Sequence, residues 1–443
     1  MIKFIFAILT ISTFFLNLAF ASDPSVDENA MFSDTSSITS SKDIVDNKTI
    51  SEKDQKSVSL SGQIVDANIG NFNRDWFDDL HRSNLQLSTF VLGNLLLDIR
   101  LPQGAKAFAN LQTEYIPLDS AVLVSLQELF IDGNLKNYVF LRLGKQVLQW
   151  GRCDIWNPTD LINVEKKLFI QKIGYREGAY GIKLHIPFGT TYNIYGFLDT
   201  REASSIDSIA AAGKFEFLVG GTEMAFSMWD KKYCHPVFGY DFSTRLVGLD
   251  LTGELAVSDG SNSFTVQEQN GMLEEAKSSD WQTRLCIDVG RDFNFFDISQ
   301  GLSITGSFYY DKGGYSDNLF ADTTHYEIKN LITASGANAT PVTVTKAAFL
   351  TMNNLYQLND FSRYYVGLDI EISRIILSAL SGYLKVVNNI QQSSTILTTG
   401  VNFVSLNEFF TGLMINGYFG PKNTEYTFLN QAMTVQITAG VTF

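Results

Sequence analysis

The sequence predicts an all-β fold: a closed, antiparallel transmembrane β-barrel of about 16 strands, within a range of about 14 to 18. Three observations predict it. Segments of about ten residues that alternate apolar and polar side chains recur along the chain. Aromatic residues make up 13% of the 443 residues but charged residues only 18%, where soluble domains average about 25% charged. The last segment, Met433 to Phe443, alternates cleanly and ends on phenylalanine. After the N-terminal leader, no stretch is apolar for the roughly 18 residues a membrane helix needs. A closed barrel is the other architecture that satisfies every backbone polar group in lipid.

The N-terminus reads as a secretory signal over residues 1–21. Lys3 supplies the positive charge, an apolar run extends from Phe4 to Phe20, and Ala19-Phe20-Ala21 is a small-residue cleavage site. No cysteine follows that site, which argues against a lipoprotein. Residues 22–58 are polar and acidic, with too few apolar side chains to fold alone. They are expected to form a flexible segment, leaving 59–443 for the barrel.

Leu85 to Arg100 shows the strand pattern best. Leu85, Leu87, Val91, Leu95, Leu97 and Ile99 share one face; Gln86, Ser88, Asn94, Asp98 and Arg100 share the other. In Tyr138–Trp150, Val139, Leu141, Leu143 and Val147 are expected to face lipid, with Arg142 and Gln146 inside. Leu246–Ser258 reads as one strand with Asp250 and Glu254 inside. Trp281–Val289 places Arg284 and Asp288 inside, and Tyr364–Ile372 places Asp369 and Glu371 there. A lysine or arginine facing lipid at mid-depth costs about 2–4 kcal/mol, so confinement of charges to one face is informative. Weaker segments, among them Ala105–Ile116 with Glu114 and Ala121–Asp132 with Glu128, complete the count. In the last strand, Met433, Val435, Ile437, Ala439, Val441 and Phe443 form the apolar face. Phe443 is the expected signal to the barrel-assembly machinery.

Short connections such as Asp132-Gly133-Asn134 suit tight turns. Three connections are long: 151–177, 259–280 and 312–361. Barrels of this class put long loops outside the cell, and loops of that length are usually functional or disordered.

The most distinctive internal stretch is LGKQVLQWGRCDIWNPTDLINV, Leu143 to Val164. Its Gly144-Lys145-Gln146, Trp150-Gly151 and Asn157-Pro158-Thr159-Asp160 resemble a segment of little-characterised porin-like families of the Gram-negative outer membrane. There a Gly-Lys/Arg-Gln…Trp-Gly strand end precedes an Asn-Pro-x-Asp loop. The match covers about 20 residues, and Cys153 after the Trp-Gly departs from the commoner pattern. The resemblance implies a porin or channel role and names no solute.

Folded back into the lumen, this segment would form a constriction carrying Trp150, Arg152, Asp154, Asn157 and Asp160. The alternative is a surface loop held by its own ion pairs. Asp98, Arg100, Glu114, Glu128, Arg142, Gln146, Asp250, Glu254, Arg284, Asp288, Asp369 and Glu371 are the candidate pore-lining residues. Acids outnumber bases among them, which predicts a mild cation preference, since rings of charge set selectivity. Trp76, Trp150, Trp229 and Trp281 are expected in the interfacial aromatic belts.

Other function classes find little support. A net charge of −14 argues against nucleic acid as a partner. Three cysteines, Cys153, Cys234 and Cys286, give no disulfide framework, although one bridge is possible. His81, His185, His235 and His325 lie in no nucleophile motif. No enzyme activity, metal or cofactor is expected. The sequence therefore points to a passive outer-membrane channel for small hydrophilic solutes, with lipid and the assembly machinery as its other partners. Porins of this size are often homotrimers; no trimer interface is visible in the sequence. The alternative is a surface adhesin or antigen acting through its long loops.

Overall fold

The computed structural model describes residues 57–76, 85–101, 104–117, 120–148, 150–163, 175–295, 298–328, 343–375, 379–405 and 408–443. The expected signal peptide and most of the polar segment after it lie outside these residues. Eighteen strands form one closed antiparallel sheet, two more than the expected 16. The first eleven are β1 (Ser57–Asn73), β2 (Leu85–Arg100), β3 (Lys106–Ile116), β4 (Ala121–Leu135), β5 (Val139–Gln146), β6 (Ala179–Phe188), β7 (Tyr192–Asp199), β8 (Ala210–Val219), β9 (Thr222–Lys231), β10 (Val237–Leu246) and β11 (Leu249–Asp259). Two short strands, β12 (Thr265–Gln269) and β13 (Met272–Ala276), stand outside the wall. The wall resumes with β14 (Trp281–Phe295) and β15 (Ile298–Asp311), and again, after β16 (Tyr326–Ile328) and β17 (Thr343–Val344), with β18 (Tyr364–Ile372). It ends with β19 (Leu380–Asn389), β20 (Ser394–Val404), β21 (Phe409–Phe419) and β22 (Gln431–Thr442).

The barrel closes where β22 pairs with β1, from Gln63 opposite Thr442 up to Phe72 opposite Met433. Phe443 finishes the seam by exchanging both backbone hydrogen bonds with Gly62, at 2.8 and 2.9 Å. Connections at that end of the barrel are short: 101–105, 136–138, 189–191, 220–221, 247–248, 296–297, 373–379 and 405–408. The long connections 147–178, 260–280 and 312–363 all lie at the other end. Barrels of the bacterial outer membrane show this asymmetry, with short turns on the periplasmic side.

Two hairpins differ from the reading above. The chain reverses at Val247-Gly248, both at positive φ, so Leu246–Ser258 is the end of β10 and nearly all of β11. Valine favours strands, which hides this turn from the sequence pattern. Similarly, Asp132-Gly133-Asn134 lies within β4, and the turn falls on Lys136 and Asn137, also at positive φ.

Strand register sorts the side chains. Leu87, Leu95, Val124, Ile131, Phe226, Ile437 and Phe443 are exposed on the lipid-facing surface, whereas Leu92, Asn94, Asn110, Arg142, Asp241 and Glu254 are buried inside. An apolar outer face with polar side chains inside locates the chain in the bacterial outer membrane. One outward row breaks the pattern: Gly62, Ile64, Asp66, Asn68, Gly70 and Phe72 on β1. Asn68 donates to Asp66 at 2.6 Å and accepts from Thr89 of β2 at 2.9 Å. Among the described residues, Asp66 is the one carboxylate on an outward row away from the strand ends.

Candidate functional site: a loop folded into the lumen

The chain leaves β5 at Gln146 and turns inward rather than outward. Val147, expected on the lipid face, is buried, and its amide donates to Glu128 of β4 at 3.0 Å. Trp150 is likewise no belt residue. It packs inside with Leu148, Ile162, Ala179 and Phe197. Trp281 is exposed on the outer face, and Trp229 shares the inward face with Ser227.

From Gly151 the loop follows the inner wall across successive strands. Glu254 of β11 accepts the amides of Arg152, Cys153 (2.7 Å) and Thr159 (3.0 Å), and the Thr159 hydroxyl (2.8 Å). Asp288 of β14 accepts the Asp154 amide at 2.6 Å. The Arg152 guanidinium meets Asp241 of β10, Glu216 of β8 and Glu223 of β9. Lys214 of β8 bridges Asp241 at 3.0 Å and the Trp150 carbonyl at 2.7 Å. These carboxylates hold a segment whose own amides would otherwise be buried without acceptors, which costs about 1–3 kcal/mol each.

Farther round, Ile155 and Trp156 pack with Cys286, Tyr309, Tyr365, Val387 and Ile396. Trp156 stacks on Tyr309 with centroids 5.2 Å apart. Room for this comes from Gly367, where a Cβ would collide with Ile155. The loop then turns on itself: the Asp160 carboxylate takes Asn163 Nδ2 at 2.8 and 2.9 Å, and the Leu148 amide donates to Asn163 Oδ1 at 2.9 Å. Asn157 contributes its carbonyl to the Asp160 amide, at 3.1 Å. On the way back, Tyr175 donates its amide to Gln112 of β3 at 3.3 Å, and Glu177 pairs with Lys145 at 2.6 Å.

The remaining candidates divide between wall and water. Arg142 and Asp132 form a buried bidentate pair at 2.6 and 2.9 Å, with the guanidinium 3.9 Å over the Phe130 ring. Gln146 is buried beside them on β5, and Glu114 is half-buried on the inward face of β3. Asp98 lies near Arg100 and Lys106, both at 3.3 Å. Arg284 pairs with Asp311 at 3.0 Å, and Lys385 joins Asp369 (2.5 Å) to Glu371 (3.3 Å). Asp250 sits at the short-turn end, paired with Arg245 at 2.6 Å and open to water.

Three outer loops share a cap. The pairs β12–β13 and β16–β17 make a four-stranded sheet, and helix α1 (Lys346–Met352) lies beside them. Phe320, Leu350 and Phe361 form its core with Val266, Tyr356 and Phe428. Glu425, in the connection 420–430, accepts from the Asn359 amide (2.9 Å), Tyr365 (2.8 Å) and Asn389 (2.6 Å). Burial pushes its carboxyl up to about 7. Trp156 donates its indole N–H to the Asn359 carbonyl at 2.7 Å, so cap and inward loop touch directly.

Sequence reading missed Asp241, Lys214, Glu216 and Glu223, and held Thr159 only as part of the Asn157–Asp160 motif. Asp241 lies on β10, the strand hidden by the Val247 turn, and its alternation with Phe238, Tyr240 and Phe242 was the available signal.

No family model and no curated protein matches this sequence. Solved structures do resemble the fold. Pseudomonas aeruginosa OccK5 (OpdH) matches with a TM-score of 0.51 at 9% identity, over 87% of this chain and 98% of its own. P. aeruginosa OccK2 (OpdF), crystallised with glucuronate, gives 0.52 at 8%, over 87% and 98%. Acinetobacter baumannii OccAB1 gives 0.52 at 9%, over 89% and 99%. At these identities the likeness shows the fold.

Proposed function

We propose that the chain is a passive outer-membrane channel for small hydrophilic solutes, with the Trp150–Asn163 loop as its constriction. The observation that carries this reading is the row of wall carboxylates, Asp241, Glu254 and Asp288, that hold the loop inside the barrel. Barrels of 16–18 strands are wide enough for an aqueous channel, and a loop fixed along the wall sets its width. No covalent chemistry is involved. Solutes diffuse, filtered by size and charge.

The same wall favours cations. Glu223 and Glu371 keep more than half of their side-chain surface exposed, and acids outnumber bases along β8–β18. OccK2 was crystallised with the anion glucuronate; this wall would disfavour such a solute. Purified protein in planar bilayers is expected to give discrete conductance steps and a reversal potential on the cation side in a salt gradient. Silence at all voltages would overturn the channel reading and favour a surface role for the cap. Glu371→Lys should move the reversal potential toward anions.

Copies of the chain would meet at β1 and β2. Phe72 and Phe443 bracket an outward row of about ten residues, the height of the apolar band, and Asp66 and Asn68 stand in its middle. A charge there is destabilising against lipid, and Gly93 beside it on β2, with only Thr113 Oγ1 near the place of a side chain, leaves room for a neighbouring chain. Asn68→Cys with a short bis-maleimide in native membranes should give dimers and trimers; monomer alone would reject this.

A further inference from the structure

Two cysteines far apart in sequence meet where the inward loop crosses the wall. The Sγ atoms of Cys153 and Cys286 and a carboxylate oxygen of Asp288 all lie within 4.8 Å of one another. Both thiols are buried, with residue exposures of 2% and 0%. The backbone around Cys153 is already fixed against the strands around Cys286. The Arg152 and Cys153 amides donate to Glu254, which lies opposite Cys286 in the β11–β14 register. The Asp154 amide donates to Asp288, two residues along the same strand face. Loop and wall are therefore positioned on both flanks of the two sulfurs, which have to close from within 4.8 Å to the roughly 2.05 Å of a bond.

We propose that Cys153 and Cys286 form a disulfide that staples the inward loop to β14, making the constriction's position redox-dependent. The compartment suits it, because disulfides persist at cell surfaces and in the periplasm. The chemistry is thiol–disulfide exchange with a disulfide-donating oxidoreductase. One cysteine thiolate attacks the donor's disulfide, forming a mixed disulfide and releasing a donor thiolate. The second cysteine then attacks the mixed disulfide, closing the Cys153–Cys286 bond and releasing the other donor sulfur. The two thiols lose two protons and two electrons, and the donor ends as a dithiol. All three cysteines are thiols in the structure; Cys234, in the 232–236 connection, belongs to no such cluster among the described residues and would stay a thiol.

Once bonded, the loop is held by a covalent link as well as by carboxylates. A reductant that reaches the lumen would release it, and the loop would then rely on Glu254 and Asp288.

The test starts with protein taken from oxidising membranes, blocked with a maleimide in denaturant without reductant, and digested. One labelled cysteine, Cys234, and a linked peptide pair containing Cys153 and Cys286 are expected, with three labelled cysteines after reduction. Full labelling of all three before reduction would overturn the proposal. So would a metal retained by two free thiols, released by a chelator. A Cys153→Ser, Cys286→Ser double variant provides a second arm. In bilayers the wild type should show conductance that rises or grows noisier on adding a reductant, whereas the double variant should already behave as reduced and ignore it. This arm rests on the channel reading and the labelling arm does not. A linked peptide from a silent barrel would therefore sink the channel and leave the disulfide standing.

Discussion

Two stretches of the same inner wall use charge differently. Along β8–β14, Asp241, Glu254 and Asp288 are buried and accept from groups brought by the loop, Asp241 pairing also with Lys214 of the wall. Along β2–β5 the wall satisfies much of its own polarity. Asp132 and Arg142 pair with each other, and Asn94 donates to Asn110 at 3.1 Å. An inward charge on a barrel strand is therefore not automatically a pore charge. Its partner decides. Where the partner comes from the loop, removing the charge should free the loop. Where the partner is in the wall, removing it should weaken the barrel and leave the loop in place.

The largest separation is expected between Arg142→Ala and Glu254→Ala. Breaking a buried pair by removing one partner costs about 3–5 kcal/mol. Arg142→Ala should therefore lower the melting temperature in detergent strongly, with single-channel conductance unchanged in the surviving barrels. Glu254→Ala should do the reverse in its main effect, raising conductance and its noise as the Arg152, Cys153 and Thr159 amides lose their acceptor. If both variants change only stability, the distinction between the two walls fails.

A smaller effect is expected in the cap. Glu425 binds its proton more tightly when folded, at about 7 against the ordinary 4.5. The folded state thus holds the proton through the window between these values, and stability falls as pH rises across it. The loss is up to about 3 kcal/mol. Amide exchange in 420–430 and 355–363 should accelerate between pH 5 and pH 8, and Glu425→Gln should abolish that dependence. An exchange rate in these segments that follows only the intrinsic chemistry of the amide would count against it. The smallest effect belongs to Arg245 and Asp250, a water-exposed pair at a hairpin. Exposed pairs contribute little, so Asp250→Asn should leave both melting temperature and conductance as they were.

Much of the architecture was legible because alternation reports directly on lipid. Leu87 and Leu95 face outward and Asn94 inward as the pattern of β2 required, and the β22 seam ending at Phe443 closes the barrel. The site was legible only in part. Trp150-Gly151 and Asn157-Pro158 marked an unusual turn, but nothing local says which way a turn points. That depends on Asp241 and Glu254, about 90 to 100 residues away along the chain, and on the space left by Gly367. Val147 misled for the same reason. Its place in the alternation was right for lipid, yet β5 ends at Gln146 and the next residue is already inside.

If the segment from Arg152 to Asp160 narrows the lumen it lies in, removing it should widen the channel. Replacing 152–160 by a short Gly-Ser linker and comparing single-channel conductance with the wild type tests this most directly. The linker variant should conduct severalfold more with unchanged closure of the barrel, as judged by heat-resistant folding in detergent. A folded variant with wild-type conductance would contradict the claim and return the segment to the surface.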